Sequence, residues 1–417
     1  MLRACLDRAR SAIRIAAAVV FSWCLPSAPA SAQDGEVSVA PLARFIDTAY
    51  GKRREAEGWA EDLLRALREL RFERSAENVC AAAAVIGQES HFSADPAVPD
   101  LGKLSAAAAI KKIDESVKYK AFFSLHPGMK AEFIARIRVA RTERDLDHAY
   151  RWLTGRLLNT VGIPFLISAT SGSASLAEYF ENNNEVDTLG SMQVSAKFAI
   201  REKTGKDLSQ LDLQEIYRIR DSLYRRYDGM YFGIKQLLGY RADYDNKTSL
   251  FADYNAGRYS SRNAAIQWMA ARISGEPLAL DGDLLSYGTT LLAAPDSMTE
   301  KTLRRIFSAS NDPAEASLHA DLMLEKTQSF NRTETFKAVR RIYKARFNKE
   351  PPYEVMPQIV LKTMKIKRLM TTEIFANAVN RRYTACLAAL APARAVPLVS
   401  SRRPPARIGS GAGRRST

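Results

Sequence analysis

One glutamate, Glu89, occupies a position from which a carboxyl group could act as a general acid. The residues from 76 to 90 have helical periodicity and follow Ser75, a residue type that often caps a helix N-terminus. Glu89 continues the apolar stripe of this helix, whose earlier members are Val79, Ala83 and Ile86. Because burial disfavours the ionised form, a carboxyl group on such a stripe can stay protonated near neutral pH and donate a proton. The alternative is a glutamate at a helix end that pairs with one of the many arginines.

Three short stretches, taken together, stand out from the rest of the chain. In order they are Gln88–Phe92 (QESHF), Gly190–Val194 (GSMQV) and Ala252–Gly257 (ADYNAG). They resemble the lytic transglycosylases related to goose-type lysozyme, whose motifs are Glu-Ser-x-Phe at a helix end, Gly-Leu-Met-Gln and Ala-Tyr-Asn-Ala-Gly. The stretch Tyr231–Leu238 is similar to the helix that precedes the third motif in that family. The resemblance covers about residues 76–275.

The chain departs from the family pattern in two ways. Ser191 stands where the family has leucine, and the gap between Glu89 and Gly190 is much longer than in common members. We therefore expect a large helical insertion between the acid and the second motif. In this respect the chain is similar to an uncharacterised group of exported or lipoprotein-like bacterial proteins with the same inserted pattern.

The resemblance implies an all-α, lysozyme-like fold and the activity of a peptidoglycan lytic transglycosylase. Such an enzyme cleaves the β-1,4 bond between N-acetylmuramic acid and N-acetylglucosamine in glycan strands. By this resemblance Glu89 acts first as acid and then as base, while the muramic acid C6 hydroxyl attacks C1 to give a 1,6-anhydro end. No cofactor or metal is implied, and none of the four His residues has a metal-ligand spacing.

The resemblance also assigns supporting roles to other motif residues. Tyr254 would hydrogen-bond Glu89, and Asn255 would serve the substrate or the end of its helix. Ser90 would touch the substrate or cap its own helix. The residues expected to line the sugar cleft are Gly190, Met192 and Gln193. Plain core packing is the alternative for both Met192 and Tyr254.

Two other functions fit the same stretches. A muramidase-type hydrolase needs a second carboxylate, and the candidates are Asp95, Asp100 and Asp187, each of which is also a common turn or cap residue type. A non-catalytic cell-wall-binding protein would keep the fold without the chemistry. The products released from cell walls separate these alternatives.

The helical periodicity predicts an all-α protein in five segments. They are a signal peptide (1–32), an N-terminal helical segment (33–74), a lytic transglycosylase-like domain (75–290, with its insertion at about 94–186), a C-terminal helical region (297–390) and a disordered basic tail (391–417). Within the domain, one long helix is expected from Asp212 to Leu238 and a loop from Thr170 to Thr188.

The first residues have the pattern of a secretory signal peptide. Four arginines precede an apolar run from Ile15 to Leu25, which is about half as long as a bilayer span requires. The small residues that follow predict cleavage after Ala32, so we expect export to the periplasm or cell wall. Lipid attachment at Cys24 is not expected, because the preceding Trp23 is too bulky for a lipobox.

The net charge of +15 is concentrated partly at the C-terminus, where residues 391–417 contain six arginines and no acidic residue. Nucleic acid is not an expected partner, because the chain has export features and no basic motif interleaved with aromatic residues. The partner expected from the resemblance is the peptidoglycan glycan strand. The tail is expected to contact an anionic wall or membrane surface electrostatically.

Two cysteines, Cys80 and Cys386, remain after removal of the signal peptide. An even pair in an oxidising compartment predicts one disulfide bond. Two buried free thiols are the alternative.

Overall fold

Helices make up nearly all of the regular structure. The computed structural model describes residues 35–160, 162, 175–286, 296–360 and 370–391. Of these described residues 67% are helical and 2% lie in strands, so the prediction of an all-α protein is confirmed. No helix within these ranges is long and apolar enough to cross a membrane. The predicted signal peptide, and the predicted tail beyond Ala391, lie outside the described residues.

The first half of the chain contains the helix of the first motif and the helices of the predicted insertion. The first three helices of the described residues are α1 (Val39–Tyr50), α2 (Ala56–Glu69) and α3 (Ala76–Glu89). The next five that the structure describes are α4 (Leu101–Glu115), α5 (Val117–Leu125), α6 (Pro127–Arg138), α7 (Glu143–Leu158) and α8 (Leu176–Asn182).

The second half begins with a short antiparallel hairpin that carries the second motif. Its strands are β1 (Thr188–Leu189) and β2 (Val194–Ser195), with Thr188 opposite Ser195. The helices that follow are α9 (Ala196–Thr204), α10 (Leu213–Leu223), α11 (Arg226–Leu238), α12 (Lys247–Ala256) and α13 (Ser260–Ser274). The last four within the described ranges are α14 (Met298–Ala309), α15 (Ala314–Leu322), α16 (Glu334–Phe347) and α17 (Thr372–Leu390).

Two predictions of local structure are wrong. The expected long helix over residues 212–238 is two helices, because Arg225 adopts an extended backbone (φ −88°, ψ 140°) between α10 and α11. The expected loop over 170–188 contains α8 within its described part. Ser175 starts this helix by accepting a hydrogen bond from the Glu178 backbone N–H at 3.1 Å.

The helix α3 lies inside the larger of two hydrophobic cores. Its alanines, Ala81–Ala84, are at most 3% exposed, and α2, α11 and α17 pack against it. The second core is formed mainly by α13, α14, α15 and α16. The predicted C-terminal region therefore divides between the two cores, since α17 packs on α3 and α12.

A disulfide bond between Cys80 and Cys386 joins α3 to α17. Both cysteines are fully buried, and their Cα atoms lie 5.5 Å apart. The two residues are separated by 306 positions in the sequence, so the bond closes nearly the whole folded chain into one loop.

A buried ionic cluster ties the predicted insertion to the rest of the protein. The fully buried Arg220 of α10 donates hydrogen bonds of 2.6 Å to Asp147 of α7 and to Glu181 of α8. It also donates to the Val186 carbonyl at 2.6 Å, just before β1. Burial alone would lower the pKa of Arg220, but the charges of Asp147 and Glu181 outweigh burial and raise the pKa. The cluster therefore fixes the hairpin relative to the insertion.

The double variant Cys80→Ala/Cys386→Ala should lose about 5–6 kcal/mol of unfolding free energy, because the bond restricts the unfolded chain over a very long loop. Urea denaturation measures the loss. Reductant should lower the stability of the wild-type protein towards that of the variant and leave the variant unchanged. Equal stability of the oxidised wild type and the variant would contradict this expectation.

Candidate functional site

A cleft of about 910 Å³ lies at the C-terminal end of α3. All three sequence motifs contribute to its walls. The first supplies Gln88, Glu89, Ser90 and His91, the second supplies Gln193, and the third supplies Tyr254, Asn255, Ala256 and Gly257. Motifs far apart in the sequence thus meet at one site.

The first motif forms the end of α3 and a sharp turn. Glu89 is the last residue of the helix and is half-buried. His91 and Phe92 both have left-handed backbones (φ 50° and 56°), which is unfavourable for non-glycine residues. The buried Phe92 ring offsets this cost by packing against Trp59 and Tyr50, with ring centroids 5.4 and 4.8 Å away. The turn therefore bends the chain away from the axis of α3 directly after Glu89.

The Ser90 hydroxyl is bonded to the backbone around it. It donates to the Ile86 carbonyl at 3.1 Å and accepts from the Ser93 N–H at 3.4 Å. Ser90 is only 5% exposed, although it borders the cleft. These contacts favour a role at the helix end over direct recognition of a ligand.

The second motif is a tight turn packed against two helices. Gly190 has a φ of 76°, and a Cβ atom there would overlap the Leu223 carbonyl oxygen at the end of α10. Met192 is fully buried and packs where a Cβ on Gly233 of α11 would stand. Ser191 is also buried, and its hydroxyl has no hydrogen-bond partner among the residues described. Gly190 and Met192 therefore support the turn and do not line the cleft.

Gln193 is the member of the second motif that reaches the cleft. Its amide nitrogen donates to the Glu143 carboxylate at 2.7 Å and lies 3.3 Å from the Gly190 carbonyl oxygen. Its amide oxygen accepts from the Thr188 hydroxyl at 3.0 Å. Three hydrogen bonds thus hold the Gln193 side chain in one orientation.

Tyr254 links the third motif to the second. Its hydroxyl donates to the Met192 carbonyl at 2.6 Å. Burial raises the pKa of Tyr254 well above its ordinary value, and the charge of Glu89 raises it further. Because a phenol has one hydrogen and the Met192 carbonyl takes it, Tyr254 can interact with the Glu89 carboxyl group only as an acceptor.

Asp253 anchors the third motif from behind. Its buried carboxyl group accepts hydrogen bonds from the Tyr240 hydroxyl at 2.9 Å, the Tyr244 hydroxyl and the Ser261 N–H at 2.6 Å. Burial raises the pKa of Asp253, and the hydrogen bonds oppose that shift. These contacts hold the end of α12 against the start of α13.

The C-terminal region supplies a wall of the cleft that the sequence motifs do not indicate. Met370 and Phe375 border the cleft, and the Thr372 hydroxyl donates to the Asn255 side chain at 3.4 Å. Asn255 is half-buried in the last turn of α12. The disulfide at the far end of α17 holds this wall against α3.

None of the three aspartates considered as second carboxylates lines the cleft. Asp100 precedes α4 and is exposed, and Asp187 is exposed before β1. Burial raises the pKa of Asp95, which hydrogen-bonds Thr142 outside the cleft lining. The carboxylate that joins Glu89 in the cleft lining is Glu143, which is 3% exposed.

Sequence reasoning missed Glu143 because nothing nearby marks it as a site residue. It is the first residue of α7, where an acidic side chain is common. The sequence does indicate where this helix starts, because Thr142 and Asp145 form a capping box there. Only the packing of the insertion shows that the start of α7 faces the second motif. Among the described residues, no group of His, Cys, Asp and Glu is arranged to hold a metal ion.

Comparison with known proteins places the chain in a family. Residues 52–389 match the family described as "Protein of unknown function (DUF1615)". The chain belongs to this family. It is 32% identical over 397 residues to the "Uncharacterized protein YaiW" of Escherichia coli (strain K12), with 90% of this chain and 98% of that protein covered. No solved structure matches the chain.

The DUF1615 match extends over every wall of the cleft. It includes the three motifs, the predicted insertion with Glu143, and the C-terminal wall with Phe375. The expected resemblance to an uncharacterised group is confirmed at this level.

Replacement of Gly190 by alanine should destabilise the protein much more than replacement of Gly205. Both glycines have left-handed backbones (φ 76° and 67°), but a Cβ on Gly205 meets nothing within 4 Å. Gly205→Ala should lose about 1 kcal/mol of unfolding free energy from backbone strain alone. Gly190→Ala should lose at least about twice as much, because overlap with a backbone carbonyl is added. Denaturation midpoints check this, and equal losses would contradict it.

Proposed function

We propose that this DUF1615 protein is an exported peptidoglycan lytic transglycosylase with a lysozyme-like fold. The observation that carries the proposal is the meeting of the three motifs around one cleft, with Glu89 half-buried at the end of α3. The cleft combines apolar surface with several polar side chains and is large enough for sugar residues, and its acid comes from a rigid, buried helix.

In the proposed reaction, Glu89 donates its proton to the glycosidic oxygen as the bond from that oxygen to muramic acid C1 breaks. The C6 hydroxyl of the same muramic acid forms the new bond to C1. Glu89, now a carboxylate, takes the proton from that hydroxyl. The products are a 1,6-anhydromuramic acid end and a free C4 hydroxyl on N-acetylglucosamine, so the protein ends in its starting state.

Tyr254 supports proton donation by Glu89 because its hydroxyl oxygen is available only as a hydrogen-bond acceptor. Its hydrogen is given to Met192, so its oxygen can offer the nearby Glu89 only an acceptor. An acceptor stabilises the protonated carboxyl group, which donates a hydrogen, and repels the carboxylate. Tyr254 is thus a positioning residue that favours the acid form of Glu89.

Hydrolysis is the second candidate function, and one observation favours it. Glu143 lies in the same cleft as Glu89, and glycosidases that use water employ two carboxyl groups. In this alternative Glu143 would activate water, and the product would carry an ordinary reducing end. Mass spectrometry of the released fragments separates the two reactions, because an anhydro end is lighter by one water molecule.

Glu89→Gln should abolish the release of soluble fragments from purified sacculi, because the amide has nearly the same shape but cannot supply the proton. A matched control is Glu77→Gln, which removes an exposed carboxylate from the first turn of the same helix. The control should retain wild-type activity. Retained cleavage by Glu89→Gln would contradict the proposal, and binding to sacculi by a wild-type protein that releases nothing would favour a non-catalytic role.

Tyr254→Phe should reduce kcat about tenfold with a smaller effect on KM. The high-pH limb of the rate profile should also move to lower pH, because the protonated Glu89 loses its acceptor and gives up its proton more readily. The control is Tyr343→Phe, which removes a hydroxyl from a buried tyrosine in the second core. An unchanged profile in Tyr254→Phe would reduce Tyr254 to a packing residue.

A further inference from the structure

The cleft wall contains a buried carboxylate that the proposed reaction does not use. Glu143 is 3% exposed and is the first residue of α7. The capping box of Thr142 and Asp145 fixes the start of this helix, and the Asp145 carboxylate also accepts from the Arg141 N–H at 2.9 Å. The Glu143 side chain is therefore presented to the cleft from a well-defined helix end.

The groups around Gln193 dictate which way its amide points. The nitrogen lies 2.7 Å from Glu143 Oε2 and 3.3 Å from the Gly190 carbonyl oxygen. A carboxylate and a carbonyl can only accept, so the amide must turn its N–H groups towards them. The Thr188 hydroxyl, 3.0 Å from the amide oxygen, can either donate or accept and so adapts to the orientation that Glu143 imposes.

This arrangement leaves Gln193 with an acceptor to offer and no donor. Both amide hydrogens are directed at Glu143 and Gly190, whereas the amide oxygen has a second lone pair beyond its bond from Thr188. A hydroxyl or an acetamido N–H of a sugar satisfies that lone pair. A carboxylate in the same place, such as a lactyl group, meets only acceptors there.

We propose that Glu143 sets the hydrogen-bond polarity of the cleft wall, so that Gln193 selects hydrogen-donating groups of the ligand. The orientation of the Gln193 amide follows from the contacts within this chain. That the ligand is a glycan rests on the proposed function. Glu143 is thus a positioning residue that acts through Gln193. In the hydrolase alternative it would instead contact water and take part in the chemistry.

The kinetic test compares Glu143→Gln with wild type on sacculi or soluble glycan strands. A glutamine at this position can donate as well as accept, so only the longer contact with the Gly190 carbonyl, at 3.3 Å, still favours the original orientation of the Gln193 amide. We expect KM to rise about tenfold, the effect of one lost hydrogen bond, while kcat stays within about twofold. Glu132→Gln, which removes a half-exposed insertion carboxylate on α6, is the control and should change neither. A collapse of kcat, or an unchanged KM, would overturn the proposal.

A second measurement reads the amide directly and needs no activity. In NMR spectra of protein labelled with ¹⁵N in the glutamine side chains, the two Gln193 amide protons should have shifted resonances and exchange slowly with solvent. These resonances are assigned by their loss in Gln193→Glu. The signature should persist in Thr188→Val, since Glu143 remains, and should disappear in Glu143→Gln. Its persistence in Glu143→Gln would overturn the proposal. A wild-type protein that shows the signature but cleaves no glycan would support the amide orientation and count against the proposed function alone.

Discussion

The short side chains of α3 allow this helix to run through the larger core with its neighbours close on several sides. Ala81–Ala84 are buried against α2, α11 and α17, and the Tyr50 hydroxyl occupies the space that a Cβ on Gly87 would fill. Such close packing leaves no room for α3 to shift or rotate without loss of contacts. Glu89, at the end of this helix, is therefore held on a rigid support, and the disulfide at Cys80 adds a covalent tie on the same helix.

The opposite wall of the cleft depends on close approach between backbones. The turn at Gly190 packs against the carbonyl of Leu223, and the Met192 side chain packs against Gly233 of α11, where a Cβ atom would overlap it. This brings the Met192 carbonyl to the Tyr254 hydroxyl, which lies close enough to Glu89 to be affected by its charge. The second and third motifs are thus coupled through one buried hydrogen bond, and larger side chains at these glycines would separate them.

The remaining walls come from parts of the chain outside the three motifs. The insertion contributes Glu143 and is anchored by the buried pairs that Arg220 makes with Asp147 and Glu181. Removing one member of such a cluster would leave an uncompensated buried charge, which is costly. The C-terminal region contributes Phe375 and is anchored by the disulfide. Both additions border the cleft, so they contribute to what the site can recognise.

Local patterns in the sequence were sufficient to predict the helical class, the cap at Ser75 and a helix that ends at Glu89, because these depend on residues within a few turns of one another. The predicted apolar stripe is wrong in one respect, since residues 79–87 are all buried and the helix has no exposed face there. The motifs also indicated that Tyr254 and Gln193 border the same cleft as Glu89. The break at Arg225 was not predictable, because the apolar periodicity continues across it and the packing of the Gly190 turn against Leu223 comes from a distant segment. Neither Glu143 nor the wall at Phe375 follows from spacing, since each reaches the cleft through long-range contacts. Those contacts are determined by how whole helices pack, and only the tertiary structure shows them.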